Sequence, residues 1–515
     1  MSRLTLPEIA PDARPAFANA AACAAWLATL PRASAAATQA TLARKLDELN
    51  GAHVPAAERL AMLELLREPV AVTQAEQSRK YAGKPLPHSP QRREILAAVT
   101  SLWDALGLGY QRALQALDAT GADRTAVALA CHRAIDCGAR AMLEHARAYV
   151  QPRPADLARL HRLYALAEQR GIAVQPVADP LSRTGRSCTV TRTYVQALLL
   201  EASSPRERRP EYVDLVDRWL GPWAPKVTVS ATPARAASAT PLVVDLAGES
   251  GASRRERAGP TVRYLEVGEL SRSLAKRVHG LKQGKSPAEL GLEGEITRED
   301  ALPLVVALYR HWCEGELRRA HERRAVNAPA TVCAGFAAAH LALGQGVAAQ
   351  ASAVAPQGGV AEGLTIPVPA TAGETWQLRD ASIAGVGLVR PRDDTRAARL
   401  AHGELLLVRP EAGAAMLAAV QWMQESPEGD LHVGARILPG VPEAVTARDA
   451  GSEGGGAPAI ALSALPALAA PPSLVLRRGT FAPDRALELA TSVRVRLAAL
   501  LESGADFERA GFTAE

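Results

Sequence analysis

Residues 318–332 read RRAHERRAVNAPATV: four arginines, a histidine and a glutamate within seven positions, then a Val/Ala/Pro/Thr run of strand character. Apolar residues before this stretch recur at helical spacing, and after it they alternate as in strands. The stretch therefore marks where one architecture stops and another begins. Clustered charge is commonly no more than a solvated helix end. A second reading is a surface for an anion that also has flat faces, because guanidinium pairs bidentately with oxyanions and stacks on rings.

Upstream, residues 18–222 carry helical stripes such as Leu157, Leu160, Tyr164 and Ala167, or Tyr212, Leu215, Trp219 and Leu220. These read as core. Breaks are expected at Pro31, at Pro69, at GKPLPHSP (83–90) and at DATGADRT (118–125). The spacing predicts an all-α domain over 1–227 without a self-consistent repeat, then a linker or extended edge over 228–241. Residues 242–313 predict a small α+β segment, either a unit of its own or an extension of the β-rich region C-terminal to it. Within it, GLKQGKS (280–286) lacks the four residues a phosphate loop needs between its glycines and comes after a helix, so nucleotide hydrolysis is excluded there.

Downstream, ETWQLRDAS (374–382), GVGLVRP (385–391), GELLLVRP (403–410), MLAAVQWMQE (416–425) and LHVGARIL (431–438) are separated by Gly, Pro and Asp turns. They predict a small antiparallel barrel over 314–442 with a flexible low-complexity insertion at about 344–363. Residues 456–515 read as a mixed unit without further assignment. The expected fold class is thus multidomain α+β.

With 48% hydrophobic and 22% charged residues, the 515-residue chain has the composition of a folded protein, and its 4% aromatic content favours small-residue helix packing. A net charge of +5 is too small for a nucleic-acid footprint by itself, and sparse aromatics argue against single-strand stacking. The six cysteines form no CxxC pair and read as buried small hydrophobes of a reducing cytoplasm. No stretch reaches the roughly 18 uninterrupted apolar residues of a membrane span. Neither a metal nor an organic cofactor is expected, and no hydrolase elbow, zincin or phosphate-loop signature points to an enzyme.

Two short motifs carry the functional reading. Arg319 and Arg323 form Arg-x-x-x-Arg just before the first strand, and Asp380, Ser382 and Gly385 form Asp-x-Ser-x-x-Gly inside LRDASIAGVGL (378–388). In this order, with GELLLV, AAVQW and HVGARIL after them, they resemble the PilZ domain family over about residues 316–440. That resemblance implies a barrel that binds cyclic di-GMP, with Arg319 and Arg323 clamping the ligand and Arg318 or Arg324 assisting. Asp380 would accept from guanine N1 and N2, Ser382 would supply a hydroxyl, and Gly385 would leave room for close approach. The separation of Arg323 from Asp380 is longer than usual in the family, the insertion supplying the difference. A PilZ-like scaffold that binds no nucleotide and works through its helices is the alternative. In either case the helical half is expected to dock a protein partner, and Trp376 and Trp422 are expected in the core.

Overall fold

The computed structural model describes residues 4–9, 12–31, 33–181, 187–234, 239–314, 322–352, 373–392, 399–426, 428–452, 455–489 and 493–514, the side chains of 345–352 excepted. The chain divides into two compact units, Met1–Lys84 with His88–Arg318, and Pro85–Pro87 with Arg319–Glu515.

The first unit is a helical array: α1 (Ala20–Leu27), α2 (Ala35–Gly51), α3 (Ala56–Ser78), α4 (Pro90–Ala119), α5 (Arg124–Arg147), α6 (Pro154–Gln169), α7 (Val190–Ala202) and α8 (Pro210–Trp223). Side-chain oxygens of Asn19, Ser34, Ser89 and Thr189 accept first-turn N–H groups that have no partner inside the helix. Small residues set the spacing: a Cβ on Gly107 of α4 would stand 3.1 Å from Cys137 of α5, and one on Gly138 of α5 would stand 2.8 Å from Leu160 of α6. The break expected at Pro69 does not occur. Helix α3 runs through it, because Leu63, Leu66 and Val70 are buried in one continuous core on both sides of the proline.

After α8 come β1 (Thr228–Ser230), β2 (Leu242–Asp245), β3 (Val262–Glu266), α9 (Gly268–Lys282) and α10 (Arg298–Cys313), with the strands ordered β1-β3-β2. This segment shares the helical core and so extends the array N-terminal to it. The indole N–H of Trp312 donates to Leu199 O at 2.9 Å, and that of Trp219 to Glu293 O at 2.9 Å. At the GLKQGKS stretch, α9 ends, Gly284 takes φ +90°, and the Ser286 N–H and hydroxyl donate to Glu289 at 2.7 Å. Among the described residues no helix is long and apolar enough to cross a membrane. All six cysteines are buried and free.

The second unit holds two closed barrels. The first comprises β4 (Arg324–Ala334), then α11 (Phe336–Ser352), β5 (Glu374–Ala381), β6 (Gly385–Arg390), β7 (Leu405–Pro410), β8 (Met416–Glu425) and β9 (Leu431–Ile437), in strand order β4-β5-β6-β9-β8-β7. Its interior includes Trp376, Leu378, Val386, Leu388, Leu406 and Val433. Helix α11 buries Phe336, Ala339 and Ala342 ahead of the expected insertion and its backbone runs into the first part of it as far as Ser352, while residues 353–372 lie outside the described chain. The residues read as a mixed C-terminal unit form a second barrel: β10 (Pro442–Asp449), β11 (Ala457–Leu462), β12 (Ser473–Arg477), β13 (Ala486–Leu489), β14 (Arg494–Ser503) and β15 (Phe507–Ala514), ordered β10-β11-β12-β15-β14-β13.

A shared core of Leu405, Leu407, Leu417, Ile460, Leu462, Val475 and Phe507 joins the barrels. This explains the unbroken Leu405-Leu406-Leu407-Val408 run. Alternate residues face the first barrel's interior and the junction, so both faces of β7 are dry.

Candidate ligand-binding site

Both arginine-bearing and acid-bearing strands arrive at the site through irregularities. Strand β4 pairs with β5 as Ala325↔Asp380 and then Ala328↔Leu378, leaving Val326 and Asn327 in a bulge with Asn327 at φ +49°. Strand β5 pairs with β6 as Leu378↔Leu388 and then Asp380↔Gly387, so Arg379 is the extra residue. Trp376 and Leu378 point into the barrel. Strict alternation would send Asp380 after them, and the bulge turns its carboxylate to the outer face instead.

There Asp380 lies over Gly387: a Cβ at Gly387 would stand 2.8 Å from Oδ2 and 2.9 Å from Oδ1. Arg323 Nη1 donates to Asp380 Oδ1 at 2.7 Å, both side chains remaining partly exposed. Ser382 is spent locally. Its hydroxyl donates to Gly385 O at 3.2 Å and accepts from the N–H groups of Ala384 (3.3 Å) and Gly385 (3.1 Å), tying the connection from β5 to β6. Gly385 is buried where a Cβ would stand 3.0 Å from Ala435 O and 3.6 Å from Arg323 Nη2. The motif residues Arg323, Asp380, Ser382 and Gly385 therefore come together; Arg318 and Arg319 lie outside the described residues.

The same face carries groups that the motifs do not include. Gly387 pairs with Gly434 of β9, and Gly434 with Trp422 of β8, whose indole occupies the space a Cβ on Gly434 would need. The expectation of a core position holds for Trp376, which is buried, and fails for Trp422. A bulge at Gln421, between the Val420↔Ala435 and Trp422↔Gly434 pairs, reverses the phase of β8 and places the indole outside. Asp380, Gly387, Gly434 and Trp422 thus form one row across four strands, about 14 Å at ordinary strand spacing. In the adjacent row Gly385 pairs with Arg436, which reaches Glu502 of the second barrel. Burial, and then Arg509, push the Arg436 guanidinium below its usual pKa. Glycine inside a strand is a sequence signal for close approach, and it was available in GVGLV and HVGAR.

The outer face thus carries two strand glycines that are both covered, Gly387 by the Asp380 carboxylate and Gly434 by the Trp422 indole, with the Arg323 and Arg436 guanidinium groups beside them. A planar ring with N–H donors and an attached oxyanion matches that inventory. Residues 21–234 match the family described as the N-terminal domain of the cyclic-di-GMP receptor FimW, and residues 444–514 match that described as the FimW C-terminal beta-barrel domain. The second stretch coincides with the second barrel. A curated protein of Pseudomonas aeruginosa named cyclic-di-GMP receptor FimW is 29% identical over 207 residues, which cover 40% of this chain and 34% of that protein.

Proposed function

We propose that the first barrel binds cyclic di-GMP as a PilZ-like domain and that the protein is a cytoplasmic, non-enzymatic receptor for it. The observation that carries this reading is the outer-face row from Asp380 over Gly387 and Gly434 to Trp422, with Arg323 beside it. The similarity of the flanking domains to a cyclic-di-GMP receptor supports the choice of ligand.

In this reading Asp380 accepts from guanine N1–H and N2–H, and Gly387 and Gly434 make room for the Asp380 carboxylate and the Trp422 indole to lie against the sheet beside the base. Arg323 leaves Asp380 for a phosphate or the O6/N7 edge, Arg318 and Arg319 complete the clamp, and Trp422 offers a stacking face. Ser382 serves by holding Gly385 in place. The helical domain is then the output surface that docks a protein partner.

A nucleotide-free scaffold is the second reading, favoured by one observation: Arg323 already satisfies Asp380 without a ligand. Calorimetry of the full chain with cyclic di-GMP, GTP and single-stranded RNA separates them. Saturable binding of cyclic di-GMP alone, weakened about tenfold or more by Asp380→Ala, supports the receptor. Heat from none of the three leaves the scaffold, and preference for RNA overturns both.

A further inference from the structure

The first unit contains a cavity of about 600 Å³ between the segment at residues 4–9, the connection from α2 to α3, and helices α4 and α6. That volume is in the range of small-molecule sites. Its chemistry is lopsided. Arg59 and Arg112 both line it, and among the described residues neither is paired with a carboxylate. Arg59 is buried and donates to Leu49 O and Ala52 O, each at 2.7 Å, so a helix end supplies only about half a compensating charge. Arg112 donates Nη2 to Pro7 O at 2.9 Å, while among the described residues its buried Nε has no partner, nor has the buried Oε1 of Gln115 beside it.

Burial, and then the Arg112 charge, depress the Arg59 pKa to about 10; two like charges are held together in a partly dry space. The nearby Arg170–Asp118 pair is self-neutralising at 2.6 Å and cannot serve them. Apart from His53, the remaining wall is apolar, with Leu4, Leu6 and Ile9 on one side and Leu166 on another. Uncompensated buried cations favour an anion, and an apolar wall favours an aliphatic body.

We infer that this cavity binds an amphiphilic anion, a carboxylate or phosphate head on Arg112 and Arg59 with an aliphatic chain against Leu4, Leu6 and Leu166. The site lies wholly in the first unit and is independent of nucleotide binding by the barrel.

Calorimetry of the full chain with octanoate, decanoate, decyl phosphate and decanamide tests it. One decanoate or decyl phosphate per chain is expected, the tighter of the two identifying the head. Octanoate should bind about fifteenfold more weakly than decanoate, since each of the two buried methylenes strengthens binding roughly fourfold. Arg112→Gln, at a half-buried position, should weaken the anions about tenfold or more while leaving decanamide unchanged. Circular dichroism confirms that the variant is folded, and Ala116→Trp, which fills the mouth, should abolish binding by steric means alone. No binding, several chains bound per protein, decanamide binding as tightly as decanoate, or equal affinity in Arg112→Gln would each overturn the inference.

Discussion

The two barrels of the second unit share one strand order and differ in what their outer faces carry. In the first, β5 meets β6 through residues 382–384, and glycines at 387 and 434 let the Asp380 carboxylate and the Trp422 indole lie against the sheet. In the second, the corresponding strands β11 and β12 are joined by residues 463–472, a Pro/Ala-rich loop without acid or glycine. Two of its arginines are matched within the barrel, Arg485 with Asp449 at 2.6 Å and Arg448 with Glu488 at 3.0 Å. Topology is thus common to both, and chemistry is grafted onto one.

The largest test of that difference is steric. Gly434→Val places a side chain where the Trp422 indole lies and should destabilise the first barrel by about 3 kcal/mol. At Gly511 in the second barrel a Cβ would meet nothing nearer than 3.7 Å, so Gly511→Ala should cost under about 1 kcal/mol. Chemical denaturation of both variants measures the contrast, and equal losses would break it.

Next comes the ligand. Arg323→Ala should weaken cyclic di-GMP binding by about 1.5–3 kcal/mol, whereas Arg485→Ala, which removes an equivalent ion pair from the second barrel, should leave the affinity unchanged. If calorimetry finds both arginines silent, the outer-face site loses its cation.

The junction between the barrels predicts a pH effect. Burial, then the nearby Asp506, raise Glu404 from 4.5 to about 7, while its carboxyl accepts from Ala401 N–H at 2.7 Å. Asp506 in turn accepts from Phe336 N–H at the start of α11 and from Leu405 N–H. A carboxyl whose folded pKa is raised binds its proton more tightly folded than unfolded. Its stabilising contribution is full below pH 4.5 and is lost as pH rises through about 7, on the order of 1–2 kcal/mol with solvent screening. Thermal melts of Glu404→Gln should lack that slope.

The smallest effect concerns the tie from Arg436 to Glu502, which links the site's edge to the second barrel. Arg436→Ala should change stability by about 1 kcal/mol or less. A shift in cyclic di-GMP affinity in that variant would show that the second barrel reports on the site.

Much of this molecule was legible in its residues. Helical spacing before position 222 and alternation after 374 defined the two architectures, because each period reflects local backbone geometry. Arg323, Asp380, Ser382 and Gly385 were named from spacing and resemblance, and they meet at one place. What local pattern could not reveal depends on partner strands. A bulge exists only relative to the strand opposite, so neither the outward turn of Asp380 past Arg379 nor that of Trp422 past Gln421 is encoded in an isolated run. The apolar β7 run fits a strand or a buried helix segment until the second barrel is seen to cover its outer face. The short strands of that second barrel, such as Ala486–Leu489 within RALELAT, carry helix-forming residues that strand pairing overrides. Sequence alone determined which residues could do the chemistry; the register between strands decided which way they face.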